Sequence, residues 1–279
     1  LRAAAWELRV AERKRSSDPR RAAPELALDS CSGAAHKSAR DDASRAARRF
    51  ARDDAATAAH FGALLERHGP VLEALDWGSR ASQEQRFAAL AEVGDLHGAR
   101  VLDLGCGLGD LCAWLEARGI DCEYTGVDLV PGMVESARAR FPRRRFECAN
   151  VLERSPFAAR SFDYVLASGL LYRRRHQPYA YARALAERML ALARHGVAFN
   201  SLRAFETTPR VRPARSAPAH EAAEFRADPL RLVRACAGLA PRYALRCDYS
   251  AGDCTLYLRH AHAEAEASAS TRTSARRRA

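Results

Sequence analysis

Three glycines alternate within Val101–Leu111, VLDLGCGLGDL: Gly105, Gly107 and Gly109. They follow the apolar run Val101, Leu102 and Leu104 and precede a helix-like pattern that closes at Gly119. A side-chain-free turn between strand and helix lets a ligand approach the backbone and aims helix N–H groups at it. The residues exclude one ligand chemistry and argue against a second. A nucleoside-triphosphate loop needs G-x-x-x-x-G-K and then Ser or Thr, yet the chain has only Lys14 and Lys37. A dinucleotide fingerprint needs a third glycine or alanine where this chain has Asp110, whose carboxylate would repel a pyrophosphate. The absence of lysine from the central region argues against Schiff-base chemistry there.

The elements that must position this turn are legible on either side. "ARVLDLGC", "CEYTGVDL", "RRFECANVL", "SFDYVLASGLL" and "GVAFNSL" read as strands. Between them, "GDLCAWLEARG", "PGMVESARARF" and "PYAYARALAERMLALARHG" read as helices, the second opened by Pro131 and the last ended by Gly196. Apolar strands alternating with helices mean a parallel sheet covered on both faces. "DPLRLVRACAGL" reads as a further helix, and "RYALRCDYS" with "DCTLYLRH" as an antiparallel hairpin. The expected fold is α/β, a Rossmann-like, seven-stranded, mostly parallel sheet with helices on both faces and a C-terminal antiparallel hairpin. Upstream, "HFGALLERHGPVLEAL" reads as helix broken at Gly69-Pro70, and Ser82 with Gln85 forms a capping-box pattern for the next helix.

The run Asp103-x-Gly105-x-Gly107-x-Gly109 resembles motif I of the class I S-adenosylmethionine-dependent methyltransferases. Their ligand carries no phosphate; its ammonium, sulfonium and ribose diol suit acceptors. The resemblance covers about residues 60 to 260, and it includes the hairpin and Asp128, 23 residues after Gly105. "SGLLYRRR", "GVAFNSL" and "RYALRCDYSAGDCTLYLRH" are also similar to a small bacterial group of such enzymes. The resemblance implies S-adenosyl-L-methionine as cofactor, held around Gly105, Cys106, Gly107 and Gly109. Asp128 would take both ribose hydroxyls, or else cap the helix at Pro131. Asn150 would meet the adenine amine, Leu129 and Val151 would flank the ring, and Ser168 would lie at the end of the fourth strand. Asp103 either caps the glycine-loop amides or also orients the amino-acid end. Arg86 either pairs with the methionyl carboxylate or belongs to a solvated helix face. Trp77 covers the cofactor or packs in the core.

The methyl acceptor is not encoded in any spacing. Tyr172, His176 and Asn200 are the catalytic candidates, with Asp248 and Tyr249 as further residues of the same mouth. In-line displacement from a sulfonium needs positioning and desolvation more than a base. No Asn/Asp-Pro-Pro-aromatic sequence follows the fourth strand, which disfavours adenine or glutamine N-methylation of that kind. A small-molecule acceptor is expected; the alternatives are methylation of RNA or protein, a non-catalytic S-adenosylmethionine binder, and an oxidoreductase on a similar fold.

Bulk properties agree. The formal net charge is +11, but residues 61–260 hold 28 basic against 23 acidic groups, so nucleic acid is only a possible partner. No apolar run approaches the roughly 18 residues of a spanning helix, so no membrane partner is expected. None of the eight cysteines has metal-ligand spacing, so no metal is expected, and reduced thiols in a cytoplasmic protein are. Residues 1–55, rich in Ala, Arg, Asp and Ser, are expected to be disordered, as is the tail 261–279, leaving 56–260 as the methyltransferase-like domain. The proline-containing stretch from about 205 to 226 is expected to be a lid over the acceptor.

Overall fold

Strand β1 (Arg100–Leu104) has four of its five residues buried, because both of its faces are covered. Its side chains alternate between two core layers, Leu102 and Leu104 into one and Val101 into the other. A computed structural model describes residues 31–173, 175–204 and 224–261 of the chain. Contacts separate residues 1–39 from a unit spanning 40–279, and the sheet, its covering helices and the site all belong to the second unit.

Helices α1 (Cys31–His68) and α2 (Arg80–Ala91) precede β1 and are joined through a 3₁₀ turn at Leu72–Leu75. Then come α3 (Asp110–Ala117), β2 (Glu123–Asp128), α4 (Pro131–Arg140), β3 (Arg145–Cys148) and β4 (Phe162–Ala167). After them come α5 (Pro178–Leu192), β5 (Ala193–Leu202), α6 (Pro229–Cys236), β6 (Arg242–Arg246) and β7 (Asp253–Arg259).

The sheet order is β3-β2-β1-β4-β5-β7-β6. The first five strands pair in parallel, and β7 runs antiparallel to both β5 and β6. The expected seven-stranded α/β sheet with its closing hairpin is therefore the observed one. Strand order reverses between β1 and β4, the place where an open α/β sheet leaves a crevice at its carboxyl ends. One core layer contains Leu185, Met189, Phe199 and Leu232; the other contains Phe87, Leu90, Trp114 and Val134.

Four boundaries differ from the sequence reading. Residues 31–55 are helical, since α1 begins at Cys31 and runs through the expected boundary at 55. Its Phe50 is buried, stacked edge-on against Tyr181, and Asp54 is buried too. Few large apolar residues suggested disorder, but Ala and Arg are strong helix formers, and two well-placed side chains anchor the helix. The α2 cap is Ser79, whose hydroxyl accepts from Ser82 N–H at 3.1 Å, so Ser82 is inside the helix. Helix α5 stops at Leu192 without a glycine, because Ala193 already pairs with Phe162. Gly196 sits within β5, where a Cβ would meet Leu258 O and Arg259 Cγ at 3.1 Å. Residues 1–30, most of the expected lid (205–223) and the tail beyond Ala261 lie outside the described residues.

Asp103 gives the sheet a pH-dependent term. It is 2% exposed and accepts from the Tyr124 hydroxyl at 2.6 Å. Burial pushes its carboxyl up to about 7, with the Tyr124 hydrogen bond opposing the rise and Asp128 and Asp110 adding to it. Unfolded, an aspartate titrates near about 4. Folded protein thus keeps a proton that the unfolded chain releases between those values, and this contribution is full below about 4 and lost as pH rises toward 7. Asp103→Asn should flatten that slope: in urea melts, the wild type should lose about 2 kcal/mol more than the variant between pH 5 and pH 8. Parallel stability curves would show that Asp103 titrates normally.

Candidate active site

The glycine turn is held by β2. Gly105 and Cys106 both donate their N–H groups to Val127 O, at 2.8 and 3.1 Å. Gly105 and Gly107 have φ of 77° and 51°, a left-handed backbone that side chains disfavour. A Cβ on Gly105 would lie 2.3 Å from Leu170 Cδ2, and one on Gly107 2.7 Å from Leu75 Cδ2. The turn is therefore a cradle whose left-handed backbone disfavours any side chain.

Asp128, the last residue of β2, locks this cradle. Its Oδ2 accepts from Gly107 N–H and its Oδ1 from Val130 N–H, both at 2.9 Å. Burial raises its carboxyl pKa, while the N–H groups of Val130, Gly107 and Leu129 oppose the rise. Each oxygen has lone-pair capacity left for a further donor. Asp128 thus lines the crevice, but it does not cap α4, whose N-cap is Val130 and which has no side-chain cap hydrogen bond.

That crevice is a cavity of about 730 Å³, in the upper part of the range of small-ligand sites. Gly105, Gly107, Asp128, Leu129, Asn150 and Val151 line it, together with Ser168, Tyr172, Asn200, Arg86 and Trp77. Asp103, Cys106, Gly109 and His176 are not among its lining residues. Asp103 faces Tyr124 in the core, Cys106 is buried, and Gly109 starts α3 beneath Phe141. His176 is exposed, and its backbone N–H donates to Asp53 Oδ2 at 3.1 Å.

Several lining groups already have partners. Arg86 donates Nε to Asp253 Oδ1 at 2.8 Å and Nη1 to Ser82 Oγ at 2.7 Å, with Trp77 4.7 Å from its guanidinium. Asn150 donates to Asp54 Oδ2 at 2.9 Å and accepts from Leu152 N–H at 3.1 Å. Asn200 accepts from Gly169 N–H at 2.8 Å and donates to Ser168 Oγ at 3.3 Å, which shapes the loop after β4. Asp248 is exposed on Arg246, and Tyr249 bonds Thr255; neither lines the cavity. Asp110, whose charge seemed set against a phosphate, instead turns to Arg140 and Gln83.

Residues without a sequence signal complete the wall. Helix α1 supplies Thr57, His60, Phe61 and Leu64, and the 3₁₀ turn supplies Leu75 and Asp76. His60 Nε2 lies 3.1 Å from Asp76 Oδ2, which also accepts from the Tyr172 hydroxyl at 2.8 Å. Behind them, Arg175 pairs with Asp54 at 2.7 Å and stacks on Tyr181 at 3.6 Å.

Comparison with known proteins places the chain. A family model for the methyltransferase domain matches residues 101–204. Putative methyltransferase Rv1506c of Mycobacterium tuberculosis is 32% identical over 167 residues, covering 57% of this chain and 92% of the relative. The chain belongs to the class I S-adenosylmethionine-dependent methyltransferases, and S-adenosylmethionine is its cofactor. Trans-aconitate 2-methyltransferase of Methylobacterium radiotolerans is 43% identical over 70 residues, 25% of this chain and 26% of that protein. Among solved structures, magnesium protoporphyrin IX methyltransferase (ChlM) from Synechocystis PCC 6803 with bound SAM aligns over 65% of this chain and 81% of its own, at 17% identity and a TM-score of 0.46.

Proposed function

We propose that this enzyme methylates a small-molecule acceptor by in-line displacement, with the cofactor seated on the Gly105–Gly107 cradle. The observation that carries this reading is a single cavity wall that runs from the cradle and Asp128 to Tyr172 and Asn200 beyond the carboxyl ends of the strands. Bound S-adenosylmethionine supplies an activated methyl group. The residues present fit it. Asp128 would accept from the ribose diol, Leu129 and Val151 would sandwich the adenine, and Asn150 and Ser168 would bound the pocket. Arg86 would face the amino-acid end only through a guanidinium already neutralised by Asp253.

A small acceptor is favoured over RNA because five of the described arginines are already engaged within the fold. Arg138 donates to Phe146 O, Arg140 pairs with Asp110, Arg144 with Glu116, Arg145 with Glu147 and Arg175 with Asp54. Relatives named for trans-aconitate point the same way. No helix among the described residues is long and apolar enough to cross a membrane.

Incubation with methyl-labelled S-adenosylmethionine and a size-fractionated lysate tests the reading. Label should appear in the small-molecule fraction. Label in RNA or protein would replace this reading with a macromolecular acceptor, and cofactor binding without any transfer would leave a binding protein.

A further inference from the structure

Three chain segments far apart in sequence bring their polar groups to one carboxylate in the cavity. His60 comes from α1, Asp76 from the end of the 3₁₀ turn and Tyr172 from the loop after β4, and all three line the cavity. Asp76 adopts a left-handed backbone, φ 56° and ψ 33°, which is unfavourable for most L-residues and best tolerated by Asn and Asp. That conformation presents its carboxylate to both donors, the His60 ring at 3.1 Å and the Tyr172 hydroxyl at 2.8 Å. Burial and the Asp76 contact raise the Tyr172 pKa, with Arg173 opposing the rise, so its hydroxyl stays a donor. A carboxylate that accepts from Nε2 fixes the tautomer with its proton there and leaves Nδ1 as the acceptor nitrogen. The imidazole and carboxylate side chains are 30% and 39% exposed, open to a molecule that enters the cavity.

The surroundings select the acceptor. Phe61 lies edge-on to both His60, at 5.2 Å between centroids, and Tyr172, at 6.3 Å. Trp77 lines the same cavity. Flat aromatic walls beside a base fit a planar aromatic molecule. A carboxylic acid arrives already ionised and needs no base. A phenol, titrating near about 10 like tyrosine, is a poor nucleophile until its proton is taken.

We propose that His60 is a catalytic general base, positioned by Asp76 and Tyr172, and that the acceptor is a phenolic hydroxyl compound; this rests on the methyltransferase reading above. The acceptor hydroxyl gives its proton to His60 Nδ1 while an oxygen lone pair bonds the methyl carbon. The carbon–sulfur bond releases its electron pair to sulfur, which loses its positive charge. A methyl aryl ether and S-adenosylhomocysteine result, and the imidazolium returns its proton to solvent.

The test uses the full chain with labelled S-adenosylmethionine and two probes, catechol and the more acidic 4-nitrocatechol, with cofactor affinity measured by calorimetry. Wild type should methylate both. His60→Gln should lose about 100-fold or more in kcat on catechol and less than about fivefold on 4-nitrocatechol, whose hydroxyl ionises without help. Its cofactor Kd should stay within about twofold, as expected for a residue acting on the acceptor. Asp76→Asn should show the same selectivity between probes with a smaller loss. Equal losses on the two probes, no loss, or loss of cofactor binding in His60→Gln would each overturn the base assignment. A wild type that binds the cofactor and methylates neither probe would overturn the acceptor class while leaving the cofactor reading intact. A wild type that does not bind S-adenosylmethionine would remove both.

Discussion

Asp128→Ala is expected to weaken S-adenosylmethionine binding by at least tenfold, about 1.4 kcal/mol, in calorimetry. The carboxylate both lines the cavity and is fixed to the glycine turn, through Gly107 and Val130. Hydrogen bonds to a charged group each contribute about 1.5–3 kcal/mol, so tenfold is the lower bound for losing a diol contact. The substitution also leaves two backbone N–H groups without their acceptor. Asp128→Asn separates the effects, since its carbonyl oxygen can retain one of them while the charge is gone. It should bind weakly and melt close to wild type. Unchanged affinity in Asp128→Ala would mean that the ribose is held elsewhere.

Asp54→Ala should destabilise the protein by about 3–5 kcal/mol, the usual consequence of leaving one member of a buried ion pair behind. The two side chains are 7% and 4% exposed for Asp54 and Arg175, and Arg175 Nε is buried without a hydrogen-bond partner among the described residues, so the guanidinium depends heavily on this carboxylate. The same substitution frees the Asn150 amide, which Asp54 holds at 2.9 Å on the cavity wall. Arg175→Ala should cost a similar amount, and it also removes the guanidinium from the Tyr181 ring. The double variant should lose less than the sum of the two, because neither charge is then stranded. Denaturant midpoints check this; a loss below about 1 kcal/mol in either single variant would show that α1 is not anchored there.

How far each interaction reaches along the chain decides whether the sequence reveals it. The strands, the glycine turn and Asp128 depend on neighbours within a few residues or on a fixed strand–helix period, so spacing discloses them. His60 and Tyr172 meet Asp76 from 16 and 96 residues away, and Asp54 meets Arg175 from 121 away. No local pattern carries such pairings. Helix α1 escapes a sequence reading for a related reason: its alanine-rich composition resembles disorder, while its anchors Phe50 and Asp54 sit among small and charged neighbours. Arg86 shows the converse case. Its position on α2 is legible, but its partner, Asp253, lies 167 residues on, so the charge that the spacing leaves free is already taken.

Above all, the cofactor is expected to sit on the Gly105–Gly107 cradle with its ribose on Asp128. A crystal structure of the protein with S-adenosylhomocysteine tests this directly. Density should run along the glycine turn, with both ribose hydroxyls within hydrogen-bond reach of the Asp128 carboxylate and adenine between Leu129 and Val151. Density for the nucleoside anywhere else on the protein, or an Asp128 side chain that makes no contact with it, would contradict that placement.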